Sequence, residues 1–338
     1  MKVLWLSPWM RPLARIYCES LMNVGVETML VTSDRHPSSG VARPYELVLD
    51  TRVKQLNSWA AFAKVLPLVR GFCPDVMVAE LVRDPRWMAL APRVPRFEMV
   101  HDDKPHDAIH ARPAWEQAIF SRWSRSASKI AFSKYVAEAI GAEAIIPLTS
   151  DLEQSGVPAL VESSRRRDFV VVGRMHEYKN LDICMEAWRM HTEGDAWRGD
   201  RLILIGDGDW NGALPENAEW RRARFQYREV LDDISHAKAS VVHYRQPSQS
   251  GVQVLSMQLG VTPIVSTAGA LPEMQPPAEQ PVGIDDIYGL ARRFDELADP
   301  VLAAERGAVC RAHYEKRYSA DAAASVLQSV LASALQRK

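Results

Sequence analysis

Residues 170–180 read V-V-V-G-R-M-H-E-Y-K-N. An apolar β-branched run stops at Gly173, Arg174 follows, and Lys179 comes where the spacing of Leu181 to Met190 predicts a helix. This is a strand, a short turn and a helix start, the repeating element of parallel α/β sheets. It also aims two cations at one place, a device that suits an anionic ligand such as a diphosphate. An ordinary βα loop with solvated charges fits the same residues, so both readings stand at this point.

The alternation continues in both directions. Downstream, Asp168–Val172 is a strand and Arg201–Ile205 another, ending in Gly206-Asp207-Gly208. Arg224–Tyr227 reads as a short strand before a helix over Glu229–Ala237, and Ala239–His243 as a strand. Gly251–Leu259 is a helix, Thr262–Ser266 a strand, Leu271–Met274 a short element and Asp285–Leu297 a helix. Ala303–Gln336 is helical, broken near Tyr318 with Ser319 as N-cap. Upstream, strands fall at Lys2–Ser7, Glu27–Thr32, Tyr45–Leu49, Val76–Ala79, Phe97–His101, Lys129–Ser133 and Ala144–Pro147. Helices are expected over Leu13–Asn23, Ala60–Arg70, Pro113–Trp123 and Lys134–Ile140. Residues 149–167 break the pattern, being polar and ending in Arg165-Arg166-Arg167, and read as a solvated linker. The expectation is an α/β chain of two doubly wound, Rossmann-like domains, 1–160 and 161–318. A C-terminal helix, 319–338, would pack back on the first. Ligands in such folds sit at the carboxyl ends of the strands, and here also in a cleft between the domains.

The bulk numbers bound the function. A chain of 338 residues with 47% hydrophobic and 25% charged residues is an ordinary globular composition. The net charge of −1 gives no global pull toward a polyanion. Four cysteines, Cys18, Cys73, Cys184 and Cys310, form no CxxC pair and read as buried thiols of a reducing compartment. The opening MKVLWLSPWMRP reads as a first strand rather than a signal peptide, and no apolar run reaches membrane-spanning length. A cytoplasmic enzyme without a membrane span is the expectation.

Four blocks, in order, resemble the retaining glycosyltransferases of the GT-B fold, in particular family 4. They are the 170–180 stretch, L-I-L-I-G-D-G-D-W around Gly206 and Gly208, the helix-then-strand block over 229–244, and Q-P-S-Q-S-G-V-Q-V-L-S-M-Q-L-G-V-T-P-I-V-S over 246–266. The resemblance implies that Arg174 and Lys179, beside Gly173, hold the diphosphate of a UDP- or GDP-type nucleotide sugar. It implies backbone contacts to the base near Tyr227 and Val230, and phosphate contacts from Ser250, Gly251 and Val252 at a helix start. It further implies transfer without a metal or other cofactor, the leaving phosphate taking the proton of an acceptor hydroxyl on the same face. Physically, a guanidinium and an ammonium on the phosphates would stabilise the charge that grows as the glycosidic bond breaks. The main departure is that the family's two glutamates, one near the sugar and one on the ribose, fall on Ser248 and Ser256. Serine cannot supply a carboxylate that grips two hydroxyls, which leaves Gln249, Gln253 or Glu273 to compensate, a different donor, or lost activity.

In the first half, M-V-H-D-D-K-P-H-D places His101 at a strand end, where the resemblance implies a contact to the donor sugar, with Asp103 and His106 toward the acceptor. A metal site from His101, Asp102, Asp103 and His106 matches no strong ligand spacing, and a helix-capping polar loop is the plain alternative. In the first βα turn, Trp9 could stack on a sugar or base and Arg11 could meet an anionic acceptor, or the turn could be a cap over a buried Trp. Asp34-Arg35-His36 is a weaker case of the same kind. The acceptor stays open between carbohydrate, lipid-linked and modified nucleic-acid hydroxyls. Two rivals remain: a catalytically degenerate GT-B binding or scaffolding protein, and a phage-type transferase acting on modified DNA, which the near-neutral charge disfavours.

Overall fold

The computed structural model describes residues 1–52, 56–103, 122–225 and 227–336. The chain forms two compact units, Met1–Asp151 together with Ala320–Lys338, and Leu152–Ser319.

The first unit is built on strands β1 (Lys2–Ser7), β2 (Glu27–Thr32), β3 (Glu46–Val48), β4 (Val76–Glu80), β5 (Arg96–Val100), β6 (Ser128–Ala131) and β7 (Ala144–Ile145). Its helices are α1 (Arg11–Asn23), α2 (Leu56–Phe72), α3 (Pro85–Ala89) and α4 (Lys134–Ile140). The strands run parallel in the order β3-β2-β1-β4-β5-β6-β7. Parallel strands carry crossover helices on both faces, which is why β1 and β4 are buried at nearly every position. The order turns back between β1 and β4, with Leu6 paired to Ala79 near their carboxyl ends. Such a switch point is where an open parallel sheet leaves room for a ligand.

The second unit repeats the design with β8 (Phe169–Val172), α5 (Leu181–Glu193), β9 (Leu202–Ile205), β10 (Ala218–Arg221), α6 (Tyr227–His236), β11 (Ala239–Val242), α7 (Gly251–Gln258), β12 (Thr262–Val265), α8 (Leu271–Met274), α9 (Ile287–Leu297) and α10 (Pro300–Arg317). Its parallel sheet runs β10-β9-β8-β11-β12, so the order reverses between β8 and β11. The V-V-V run explains itself here. Val170 and Val172 enter the core on one face, with Ile203, Ile205 and Val265. Val171 enters the opposite core with Phe169, Leu204, Trp188 and Phe294. The last helix, α11 (Ala320–Gln336), belongs to the first unit and packs against α1, burying Ala323, Ala324, Leu327 and Leu331 at helical spacing.

Several expectations are corrected. The strand expected over Arg224–Tyr227 is not found among the described residues: β10 lies at Ala218–Arg221, and Tyr227 opens α6. As an edge strand β10 is half-buried throughout and shows no apolar alternation. Helix α10 starts at Pro300 rather than near Ala303, capped by Asp299, whose carboxylate accepts from Val301 and Leu302 N–H. Arg166 is not a solvated linker residue. It is buried and donates to the carbonyls of Ala237 and Gly260 at 2.9 and 2.7 Å, whereas Arg165 and Arg167 are exposed. All four cysteines are free, but Cys73 is exposed. The helix expected over Pro113–Trp123 falls, up to residue 121, outside the described residues. No described helix is long and apolar enough to cross a membrane.

Candidate functional site

The stretch at 173–180 folds back on itself at the switch point of the second sheet. Glu177–Lys179 forms a single 3-10 turn, and Asn180 follows in the left-handed conformation at φ 55°. Asparagine tolerates that region because its short side chain can bond locally. Here its amide donates to Ile284 O at 2.7 Å, and its Oδ1 accepts from Arg245 at 2.8 Å. The turn points Lys179 inward. Its ammonium is 4% exposed and donates to the carbonyl of Val172, the last residue of β8, at 2.8 Å. It also donates to the Tyr244 hydroxyl at 2.6 Å and lies 4.0 Å from that ring's centre. Tyr244 follows β11, so Lys179 bridges the two strands between which the sheet order reverses.

No ion pair to Lys179 exists among the described residues. The buried Lys238 shows the usual solution, its ammonium 2.6 Å from Asp200. Lys179 has a carbonyl, a phenol and, near enough to repel it, the charge of Arg174. Burial first, and then Arg174, push its pKa down to about 7. Arg174 itself is exposed, and its charge and hydrogen bond act on Tyr178, whose hydroxyl burial nevertheless raises. Two cations held together with no carboxylate on Lys179 make a site that an anion would relieve.

The glycines around it are there for closeness. A Cβ on Gly173, at φ 122°, would stand 2.8 Å from Lys179 Nζ. A Cβ on Gly206, at φ 141°, would lie 2.0 Å from Gly173 O, and one on Gly208 2.3 Å from Met175 O. The turn after β9 is therefore pressed onto the turn after β8, tied by Met175 N–H to Asp207 O at 2.8 Å and Trp210 N–H to Met175 O at 3.0 Å. Gly206 and Gly208 shape the loop that carries Arg174.

The fourth block forms α7. Ser250 is its N-cap, its hydroxyl accepting from Gln253 N–H at 3.2 Å. Gly251 is its exposed first residue, and Val252 sits in the core. Ser248 is buried. Ser256 is wholly buried and donates to the carbonyl of Val252 at 2.7 Å, so its hydroxyl is spent inside the helix. Gln253 is buried, with its amide nitrogen on Leu271 O at 2.9 Å and its oxygen unpartnered among the described residues. Gln249 also has a buried, unpartnered Oε1, while Glu273 is exposed. Val230 is a core residue of α6, and Tyr227 opens that helix. His243, which sequence reading passed over as a site residue, is the first residue after β11. It is buried, donates from Nε2 to Gly283 O at 2.9 Å, and is held below the usual histidine range chiefly by burial.

The switch point of the first sheet has the opposite character. Three adjacent strands end there in polar residues: Ser7 on β1, Glu80 on β4 and His101 just after β5. Glu80 is completely buried, accepts from Ser7 Oγ at 2.7 Å, and lies 2.7 Å from His101 Nε2. Glu80 is the functional residue that sequence reading missed. Its signal is V-M-V-A-E, a charge closing an otherwise apolar buried strand.

Of the other candidates, Trp9 is 41% exposed with the Arg35 guanidinium 5.4 Å from its ring. It is not the buried Trp of a capping turn. Arg11 does not present its charge outward. It is 1% exposed, pairs with Glu46 at 2.8 Å and with Asp34, and Arg15 takes the same carboxylate at 2.8 Å. Asp103 is half-buried. His106 lies outside the described residues, and among those described no cluster of three His, Cys, Asp or Glu could hold a metal.

No protein-family model and no curated protein matches the sequence. Solved structures do. Sucrose-phosphate synthase from Thermosynechococcus elongatus is 14% identical with a TM-score of 0.70, covering 100% of both chains. Anabaena HepE in complex with UDP is 13% identical with a TM-score of 0.62, over 98% of this chain and 100% of its own. The UDP-forming α,α-trehalose-phosphate synthase from Burkholderia vietnamiensis is 12% identical with a TM-score of 0.63, over 100% of both. The fold shared with these neighbours over the whole length is GT-B.

Proposed function

From the GT-B fold as premise, we propose that this chain is a retaining, metal-independent glycosyltransferase that takes its sugar from a nucleotide diphosphate. The observation that carries the reading is Lys179: a buried ammonium at the sheet's switch point with no ion pair among the described residues and Arg174 beside it. Burying such a charge without a counter-ion is costly, and a ligand that supplies one offsets that cost. A diphosphate fits, since it would accept from both groups and restore the ammonium. As the sugar–phosphate bond breaks, the charge arriving on the leaving group meets donors already in place. The second unit then binds the donor and the first the acceptor, with His101 orienting a sugar hydroxyl. UDP-sugars are the first to test because solved neighbours include a complex with UDP and a UDP-forming synthase.

One observation favours a second reading, a nucleotide-sugar-binding protein without transfer. The positions where the resemblance expects carboxylates hold Ser248 and Ser256, and the hydroxyl of Ser256 is committed to Val252. A thermal-stabilisation screen of nucleotide sugars, followed by a donor-hydrolysis assay, separates the two. Stabilisation with turnover supports the transferase, stabilisation without turnover the binder, and no stabilisation by any nucleotide sugar removes both.

A further inference from the structure

The geometry points to Glu80 as the positioning residue that fixes the tautomer of His101, leaving the imidazole Nδ1 to accept a hydrogen bond from a substrate hydroxyl. Three donors converge on the buried carboxylate. Ser7 Oγ and, more weakly, Trp5 Nε1 donate to Oε2 at 2.7 and 3.4 Å, and His101 Nε2 lies 2.7 Å from Oε1. An ionised carboxylate only accepts, so the ring hydrogen belongs on Nε2. The other face of the ring is held by Phe132, with centroids 4.9 Å apart. Phe132 stacks on Tyr17 and Tyr17 on Trp5, at 6.2 and 5.7 Å, so the aromatic column and the carboxylate share one support. Flipping the imidazole would cost the bond to the buried Glu80 carboxylate.

Nδ1 makes no hydrogen bond among the described residues, and the side chain of His101 keeps 11% of its surface open. With its hydrogen on Nε2, the ring offers a lone pair at Nδ1. It pairs with an O–H, and it has no hydrogen to give to a phosphate or carboxylate. The group it meets is therefore a hydrogen-bond donor, and the hydroxyls of a sugar are the donors that the proposed substrate offers. If the ring takes up that proton, the carboxylate behind it balances the charge, the arrangement by which a buried acid orients a catalytic histidine.

This assignment rests on reading the first unit as a substrate-binding unit, but its main test needs no substrate. In the full chain with 15N-labelled histidine, long-range 1H–15N spectra at pH 8 report which ring nitrogen carries hydrogen, with His101→Asn identifying the resonances. The expected pattern is one Nε2–H tautomer, lost or averaged in Glu80→Gln. An Nδ1–H ring, or fast tautomer averaging in the native chain, overturns the assignment. In the kinetic arm, Glu80→Gln lowers kcat/KM about tenfold to a hundredfold with the nucleotide Kd unchanged. A wild-type rate in that variant also overturns it. Should Glu80→Gln not fold, the native spectrum decides alone. Should the protein transfer no sugar, the proposed function falls while the spectrum still decides this point.

Discussion

The two sheets reverse their strand order at equivalent places and put opposite chemistry there. Where β1 meets β4, a buried carboxylate gathers a serine, an indole and an imidazole, and every polar partner comes from the protein. Where β8 meets β11, a buried ammonium gathers a carbonyl and a phenol beside a second cation, and no carboxylate pairs with it among the described residues. The first cluster is complete without ligand and so pre-organises a side chain. The second lacks a counter-charge among the described residues and so would accept an anion. One topology serves both because an open parallel sheet leaves the same vacancy at its switch point whatever residues line it.

The sharpest way to break this comparison is to close the second site by sterics. Gly206→Ala would place a methyl 2.0 Å from Gly173 O at φ 141°. The expected loss is about 3 kcal/mol or more in denaturant unfolding, with loss of nucleotide binding. A stability change under about 0.5 kcal/mol, the usual range of surface substitutions, would show that the two turns are not pressed together as described. Next comes removal of the charge itself. Lys179→Met keeps the volume and should weaken nucleotide binding about a hundredfold with the fold retained, read by calorimetry and circular dichroism. Unchanged affinity would move the phosphate site elsewhere.

Lys179 also gives a pH dependence with a defined sign. Its pKa in the free protein is about 7, and a bound diphosphate favours the charged form. Above pH 7, binding must therefore take up a proton, so affinity falls as the pH rises from 7 to 9, toward tenfold per unit. In the free protein the unfolded chain holds that proton up to its ordinary value of 10.5, so stability contributed by this group rises with pH between 7 and 10.5. Calorimetry in buffers of different ionisation enthalpy should show the proton uptake, and Lys179→Met should abolish it. The smallest expected effect is at Ser250. Removing the N-cap of α7 by Ser250→Ala should cost about 1 kcal/mol in stability, and a larger fall in nucleotide affinity than in stability would place the helix start on the ligand.

Much of this was legible in the chain. The βα alternation and the strand–G-R–turn–K pattern are local signals, and they located both sheets and Arg174 and Lys179. Three things were not. The half-buried edge strand β10 carries no apolar alternation, so R-F-Q-Y a few residues later looked more strand-like. Lys179 and Arg11 are equally polar on paper, but only the fold shows that Arg11 finds carboxylates and that Lys179 finds none among the described residues. The pairing of Glu80 with His101 spans 21 residues of sequence and depends on β4 and β5 lying side by side. Helix α7 adds a fourth lesson. At Ser256 a sequence comparison sees a missing carboxylate, whereas the structure sees a hydroxyl already in use.

Helix α11 has a consequence for how the molecule is made. The first unit comprises residues 1–151 and 320–338, and α1 packs against a helix whose residues are made after the whole of the second unit. The second unit is a contiguous insertion, 152–319. During synthesis the first unit must wait, with the flank of α1 that α11 covers still open, until residues 320–336 have emerged, which is after all of 152–319. Chains that lack residues 320–336 should therefore draw chaperones more than the full chain does, which a pull-down of the two lengths would read.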